Sequence, residues 1–282
     1  MVLCAALMMT GGCSALRFGY NQAADLAYWW LDGFVDFNET QTLRVRDALA
    51  GWFVWHRGTQ LPDYAQLLVR AQTEVVADST PARVCEWWST LNSRIETAFE
   101  RAVPAGAELM LSMGPKQVQH MERRYAKAND EFRDEFLQSD PAKRRKVSVE
   151  RAIERSELLY GKLDEPQREQ VARTIAQSPF DAELWFSERE RRQQDAVQTV
   201  RRLTAEGASR DKAEAALRAY IDRWGRSPRE EYRRYSDTLS SFNCAFAANL
   251  HNTTSAAQRQ FAVQKLKGWE ADARALVADG AK

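Results

Sequence analysis

The stretch PKQVQHMERRYAKANDEFRDEFLQ, residues 115–138, decides the fold class of this chain. Its apolar and aromatic side chains recur every three or four residues, at Val118, Met121, Tyr125, Ala128, Phe132 and Phe136. This spacing places them along one side of an α-helix, which has about 3.6 residues per turn. Pro115 suits a first turn, where a backbone N–H has no helical partner anyway. We therefore predict an amphipathic helix that begins at Pro115 and packs this stripe into a core.

Two further segments repeat this spacing. Their stripes consist of Val84, Trp88, Leu91, Ile95, Ala98 and Ala102 in 81–103, and of Tyr232, Tyr235, Leu239, Phe242 and Phe246 in 229–250. No segment after Asn21 alternates apolar and polar residues as a half-buried strand does. We predict an all-α, multi-helix bundle of about nine or ten helices, with all three stripes in the core.

The composition is that of a folded protein with a neutral charge balance. The 282 residues are 44% hydrophobic and 28% charged, with 40 basic and 39 acidic side chains and a formal net charge of +1. This balance argues against nucleic acid as a partner. The basic clusters KRRK at 143–146 and RERR at 189–192 stand among acidic residues, so we expect solvated helix faces there. No apolar run reaches the ~18 residues that a membrane-spanning helix needs.

The N-terminus predicts export and lipid attachment. The apolar residues VLCAALMM at 2–9 suit the hydrophobic part of a signal peptide, and small residues then lead to Cys13. This order looks like a bacterial lipobox, in which cleavage precedes a cysteine whose thiol carries a diacylglycerol. We predict a signal peptide over 1–12, lipidation of Cys13 within a short tether over 13–21, and a helical domain over 22–282.

The signal-peptide pattern departs from the usual one at two places. Thr10 stands where leucine is usual, and no basic residue precedes Val2. A positively charged segment normally opens a signal peptide. We therefore expect a basic segment upstream of the first residue given.

Four stretches carry a family resemblance: GCSALRFGYN at 12–21, YWWLDGFVD at 28–36, SPFDAELWFSERERRQQD at 178–195 and LHNTTSAAQR at 250–259. They resemble an uncharacterised family of proteobacterial lipoproteins over most of the chain. The resemblance implies an all-helical fold and a lipid anchor, and it implies no catalytic residue. In lipoproteins of Gram-negative bacteria, a serine directly after the lipidated cysteine favours the outer membrane. Ser14 stands at that place, so the resemblance implies a location at the periplasmic face of the outer membrane.

One local motif occurs four times, as an N-cap residue followed three positions later by glutamine. The pairs are Asn38 with Gln41, Gly114 with Gln117, Asp164 with Gln167, and Ser255 with Gln258. This is the spacing of a capping box, which is only half complete at Gly114 because glycine has no side chain. The recurrence suggests an old duplication of a helical hairpin, and the domain allows two lobes, 22–139 and 140–282. The motif also resembles, weakly, the Leu-Thr-x-x-Gln motif of small helical periplasmic chaperones.

No catalytic, cofactor or metal motif stands out. The three histidines, His56, His120 and His251, have no metal-ligand spacing, and we expect each to be a surface or core histidine. The sequence contains no phosphate-binding glycine loop, dinucleotide fingerprint, nucleophile elbow or Cys-x-x-Cys motif. We therefore assign no catalytic residue, no cofactor and no metal ligand.

Nine tryptophans include two adjacent pairs, at 29–30 and 87–88. Adjacent helical residues point about 100° apart, so each pair can touch two neighbouring elements. We expect both pairs in the core. An aromatic groove for a glycan or a peptide is the alternative.

The cysteines leave one candidate disulfide. Cys4 is removed with the predicted signal peptide and Cys13 carries the predicted lipid, which leaves Cys85 and Cys244. An even pair in an oxidising compartment favours a disulfide. Two isolated thiols are the alternative, because spacing alone does not bring the two Cα atoms within the roughly 7 Å that a bridge requires.

These patterns favour binding over catalysis. We expect a membrane-anchored, periplasm-facing lipoprotein that acts as a non-enzymatic structural or interaction module of the cell envelope and binds an envelope protein or a glycan. A chaperone-like binder of envelope clients is one alternative, and it predicts a concave apolar surface. A peptidoglycan-modifying enzyme is the other, and it predicts a polar cleft with two facing carboxylates.

Overall fold

The structure, a computed structural model, describes residues 15–138 and 140–280, and twelve α-helices occupy them. The helices are α1 Ala15–Asn21, α2 Ala23–Val35, α3 Glu39–Trp55, α4 Leu61–Glu74, α5 Pro81–Ser112, α6 Pro115–Phe136, α7 Pro141–Tyr160, α8 Glu165–Ile175, α9 Ala182–Ala205, α10 Arg210–Gly225, α11 Glu230–Asn252 and α12 Ala256–Gly280. A π-helical turn, His56–Gln60, joins α3 to α4. No strand occurs within these ranges, so the all-α prediction is confirmed.

Prolines begin three of the helices, and Pro115 does so as predicted. Pro81, Pro115 and Pro141 are the first residues of α5, α6 and α7. The described helices outnumber the nine or ten predicted for two reasons. The segment expected to be an extended tether is helical from Ala15, and the π-helical turn divides one long helical stretch into α3 and α4.

Three clusters of buried side chains form the core. They consist of Val35, Met113, Val118, Met121, Val197 and Val200; of Ala107, Leu203 and Ala213; and of Leu163, Val171 and Leu250. Helix α9 contributes to the first two clusters and therefore lies inside the bundle. The stripe of α6 is confirmed as core at Val118, Met121 and Phe132, and Tyr232 of the α11 stripe is also buried.

The stripe predicted for α5 does not lie in the core. Trp88, Leu91 and Ile95 are all exposed, so that prediction is wrong. The buried residues of this long helix are Val103 and Ala107, in its second half. Ala107 packs against α9 and α10, whereas the first half turns its apolar side to the surface.

Two expectations about charged and aromatic clusters are also corrected. Arg191 and Arg192 of the RERR cluster are not solvated, because α9 is central and both side chains bind the fully buried Glu188. Of the four tryptophans in adjacent pairs, only Trp87 is partly buried, and its indole N–H donates to Glu74 at 2.8 Å. The other three are exposed rather than in the core.

The four capping motifs come together in two pairs. Gln41 and Gln117 donate amide hydrogen bonds to each other at 3.2 and 2.7 Å, and Gln167 and Gln258 do so at 2.9 Å each. Each glutamine accepts from its own N-cap N–H, as predicted. Each also donates to the carbonyl two residues before the partner's N-cap. The same arrangement thus occurs twice, as a duplicated hairpin would produce.

Helix α1 is attached to the body of the domain. Arg17 forms an ion pair with Asp279 near the end of α12. The Tyr20 hydroxyl lies 2.8 Å from Nδ1 of His56 in the π-helical turn. Burial raises the pKa of Tyr20 to about 12 and lowers the pKa of His56, so burial favours the neutral form of both groups.

Candidate functional site

A groove of about 1660 Å³ opens between α6, α7, α11, the start of α9 and the loop that joins α8 to α9. A second hollow, between α6 and α9, measures about 340 Å³. Pockets for small molecules usually measure about 300–1,000 Å³. The size of the groove therefore suits a segment of a polymer better than a compact metabolite.

The aromatic floor of the groove consists of Phe132, Phe136 and Trp185. Phe132 stacks on Phe136 with ring centroids 4.5 Å apart, and on Trp185 with centroids 4.8 Å apart. The two rings of α6 are four residues apart, so they stand on the same side of that helix. Trp185 comes from the first turn of α9. The floor is a continuous set of stacked ring faces built from two helices.

The opposite side is an arginine wall, which consists of Arg144, Arg145, Arg151 and Arg155 of α7. Arg144, Arg151 and Arg155 are spaced by seven and four residues and lie along one side of the helix, and Arg145 points about 100° away from Arg144. Arg151 forms an ion pair with Glu135, and its guanidinium lies 4.4 Å from the centroid of Phe136. Within the described ranges, Arg145 and Arg155 form no ion pair.

The loop between α8 and α9 holds Phe180 at the rim. The N–H of Asp181 lies 3.1 Å from the hydroxyl of Tyr235 on α11, and its carboxylate accepts from the N–H of Leu184 at 2.9 Å. The first contact fixes the loop to α11, and the second caps α9. Phe180 therefore stands at a fixed place with 42% of its surface exposed.

A buried hydrogen-bond chain closes the end of the groove near Tyr160. The Tyr160 hydroxyl lies 2.9 Å from Nδ1 of His251, whose Nε2 lies 2.7 Å from the carbonyl of Ala77. Because a carbonyl can only accept, Nε2 carries the proton and Nδ1 accepts from Tyr160. Burial raises the pKa of Tyr160 to about 12, which keeps this hydroxyl a donor. His251 is thus a core histidine, as expected, and it ties α11 to the segment before α5.

The carboxylates of the groove are Glu131, Glu135, Asp181 and Glu183. Two of them have structural partners, since Glu135 pairs with Arg151 and Asp181 caps α9. Glu188, the most buried carboxylate described, is held by arginines of its own helix outside this lining. The groove therefore presents stacked rings and arginines as its main chemistry.

The other residues singled out from the sequence lie away from the groove. His56 stacks on Trp52 with centroids 4.8 Å apart, and Nε2 of His120 lies 3.1 Å from the carbonyl of Gly33. No cluster of three or more metal-ligating side chains occurs among the residues that the structure describes. Cys13 lies outside those residues, and so do the predicted signal peptide over 1–12 and Cys4.

Cys85 and Cys244 are joined by a disulfide, with sulfurs 2.01 Å and Cα atoms 5.4 Å apart. The bond connects the second turn of α5 to the second half of α11. Cys244 is buried, and Ala248, one turn along the same helix, is buried as well. Small residues on this side of α11 allow the close approach of α5.

Sequence reasoning did not identify the groove. Phe180 and Trp185 lie within the stretch SPFDAELWFSERERRQQD, which served only to carry the family resemblance. Arg144 and Arg145 belong to the KRRK cluster, whose expected role was a solvated face. The available signal was a run of basic residues at 143–155, on α7, that follows aromatic residues at 132–136 at the end of α6.

Comparison with known proteins identifies the family. The model of a family of unknown function, DUF6279, matches residues 33–237 of the chain, and the chain therefore belongs to this family. No curated protein and no solved structure matches it. Within the described ranges, no helix combines the length and the apolar character needed to cross a bilayer.

Proposed function

We propose that this member of DUF6279 is a lipid-anchored lipoprotein of the cell envelope that faces the periplasm and binds a polypeptide segment in the groove, without catalysing a reaction. The observation that carries the proposal is the pairing of an aromatic floor with an arginine wall across a groove of about 1660 Å³. Such a site offers stacking and apolar contact on one side and charge on the other.

The two sides of the groove define the chemistry of the segment. Its apolar residues would contact Phe132, Phe136 and Trp185, and its acidic residues would face Arg145 and Arg155, which have no carboxylate partner among the described residues. Arginine forms strong, directional bonds with carboxylates. An amphipathic segment with acidic residues on one side meets both requirements.

The anchor and its location rest on the sequence that precedes α1. Cys13 follows an apolar stretch and small residues, and Ser14 comes next. We propose diacylglycerol attachment at Cys13 and retention at the periplasmic face of the outer membrane.

Site-specific photo-crosslinking in cells tests the groove. A photoreactive amino acid replaces Phe180 at the rim, and a matched variant carries it at Phe261 of α12, since the two side chains are 42% and 47% exposed. We expect a defined envelope polypeptide to be captured from position 180 and not from position 261, and its capture to fall in an Arg155→Glu variant. Equal capture at both positions, or capture that Arg155→Glu leaves unchanged, would contradict the proposal.

Metabolic labelling with a fatty-acid analogue tests the anchor separately. Label should appear on the wild-type chain and be absent from Cys13→Ser. Cleavage before Cys13 should leave residues 13–282, which intact mass measurement can check. Label that persists in Cys13→Ser would refute this anchoring site.

A chaperone-like clamp is the second candidate, and the size of the groove favours it. A volume of about 1660 Å³ can take part of an unfolded chain without a fixed sequence. Such a clamp would suppress the aggregation of a chemically denatured model protein at stoichiometric concentration, and a Trp185→Ala variant would do so less well. A protein that binds one dedicated partner would not suppress the aggregation of this model protein.

A further inference from the structure

We infer that one side of α2, together with α1, is a bilayer-contact face, on which the folded domain rests against lipid. The face consists of Phe18 of α1 and of Leu26, Trp29 and Trp30 of α2. Their exposed fractions are 67%, 52%, 61% and 64%. The inference rests on the proposed anchor at Cys13 and goes beyond it, because it assigns a lipid-binding role to folded side chains.

The exposed residues of α2 form a contiguous side of the helix. At about 100° per residue, Leu26, Trp29 and Trp30 fall within an arc of about 100°. The buried residues of the same helix, Tyr28 and Val35, point to the opposite side, where α2 packs against α3 and α6. The two tryptophans therefore do not contribute to the core. Their apolar rings do not stabilise the domain by standing in water, and such an exposed apolar patch marks an interaction surface.

The position of this face along the chain selects lipid as its occupant. Cys13 is two residues before α1 begins, and two residues of chain span at most about 7 Å. An acyl group on that cysteine would therefore enter the bilayer beside Phe18. Helix α1 cannot move freely away from the domain, because Arg17 is paired with Asp279 and Tyr20 is bonded to His56.

The polar groups of α2 do not oppose contact with a bilayer. Its two carboxylates have partners: Asp25 pairs with Arg46 at 2.8 Å, and Asp32 accepts from the N–H of Phe37 at 2.8 Å. Tryptophan is enriched where a membrane meets water, because its ring is apolar and its N–H remains wet. Arg17 and Tyr20 of α1 bind within the domain, whereas Phe18 is exposed.

Quenching by brominated lipids tests the bilayer-contact face on the full acylated chain. The protein is reconstituted into vesicles of phosphatidylethanolamine and phosphatidylglycerol with brominated acyl chains, and tryptophan fluorescence is compared with that in unbrominated vesicles. The test variant is Trp29→Phe/Trp30→Phe, which keeps the apolar surface. The matched control is Trp88→Phe, since Trp88 is 55% exposed on α5.

We expect bromine-dependent quenching in the wild type and in Trp88→Phe, with most of it lost in Trp29→Phe/Trp30→Phe. A chain that floats with the vesicles but shows the same quenching in both variants overturns the bilayer-contact face and leaves the anchor intact. A chain that does not float with the vesicles overturns both. As a second measurement, a photoreactive residue at position 30 should form adducts with lipid, and adducts with a protein instead would also overturn the inference.

Discussion

Gln117 completes the N-cap of its own helix and also holds the helix that carries Gln41. Its side-chain oxygen accepts from the N–H of Gly114 at 3.1 Å, and its amide group donates to Gln41 and to the carbonyl of Asp36. Gln41 makes the reciprocal contacts and is buried. One amide thus joins two helix termini through the buried Gln41.

Replacement of Gln117 by alanine should lower the free energy of unfolding by about 2 kcal/mol. The substitution removes both side-chain bonds to the buried Gln41, the bond to the carbonyl of Asp36 and the acceptor of the Gly114 N–H. Buried polar groups that lose a partner cost about 1–3 kcal/mol. Gln119→Ala, at an exposed position of the same helix, should change stability by less than about 0.5 kcal/mol. Urea unfolding of both variants measures the difference in stability. Equal unfolding midpoints would show that the pairing of Gln117 with Gln41 does not stabilise the protein.

The disulfide should contribute strongly to stability. Cys85 and Cys244 are separated by 159 positions, for which the loop-entropy model gives about 5 kcal/mol as an upper value. Cys85→Ser/Cys244→Ser should unfold at a lower denaturant concentration than the oxidised protein. The reduced wild type should behave like the double variant. Thiol alkylation of protein taken directly from cells, before and after reduction, shows which state occurs in cells. Full labelling before reduction would mean that the bond is not formed there.

Stability should decline as the pH falls below about 6.5, in part because of His56. Burial lowers the pKa of His56 in the folded protein, whereas in the unfolded chain it returns to its ordinary value near 6.5. The unfolded state therefore binds the proton first, so this contribution is full above pH 6.5 and is lost as the pH falls toward the folded pKa.

The variant His56→Gln should flatten the dependence of stability on pH between about 6.5 and 5, even if it is less stable at pH 7. His120→Gln is the control, because its ring contacts only a carbonyl at the surface. Unfolding free energies at several pH values in this window provide the slopes. A slope in His56→Gln as steep as in the wild type would refute a role for this histidine.

The aromatic floor and the rim of the groove should differ in their effect on folding. Phe132 is buried and stacks on three rings, so Phe132→Ala should cost about 3–5 kcal/mol. Phe180→Ala, at the exposed rim, should cost less than about 1 kcal/mol and reduce capture of the bound segment. Thermal unfolding of both variants separates the two roles, and a stable Phe132→Ala protein would argue against a preformed floor.

Periodicity predicts which side of a helix is apolar, but it does not predict what covers that side. The stripes of α6 and α5 look alike in the sequence. Phe132 of α6 is buried because α9 lies against it. Trp88 and Ile95 of α5 remain exposed because α4 and α11 contact that half of the helix at Trp87 and Cys85 instead. The all-α class follows from local spacing alone, and burial depends on the path of the whole chain.

The same distinction holds for polar motifs. The capping boxes at Asn38 and Asp164 follow from a spacing of three residues, and all their bonds are local. The second contact of each glutamine joins residues far apart in the chain, such as Gln167 and Gln258, so no local pattern predicts it. The groove was missed for this reason as well, since its arginine wall and aromatic floor come from different helices.

The bond between Cys85 and Cys244 makes a closed covalent ring of the chain between them, and helices α6 to α10 lie inside that ring. Three of the helices that line the groove, α6, α7 and α9, are therefore part of it. A protease that cuts one connecting loop within this ring opens the circle but releases no fragment. Both new chain ends remain attached to the same molecule through the disulfide. A groove damaged in this way would stay on the protein instead of being released as a fragment.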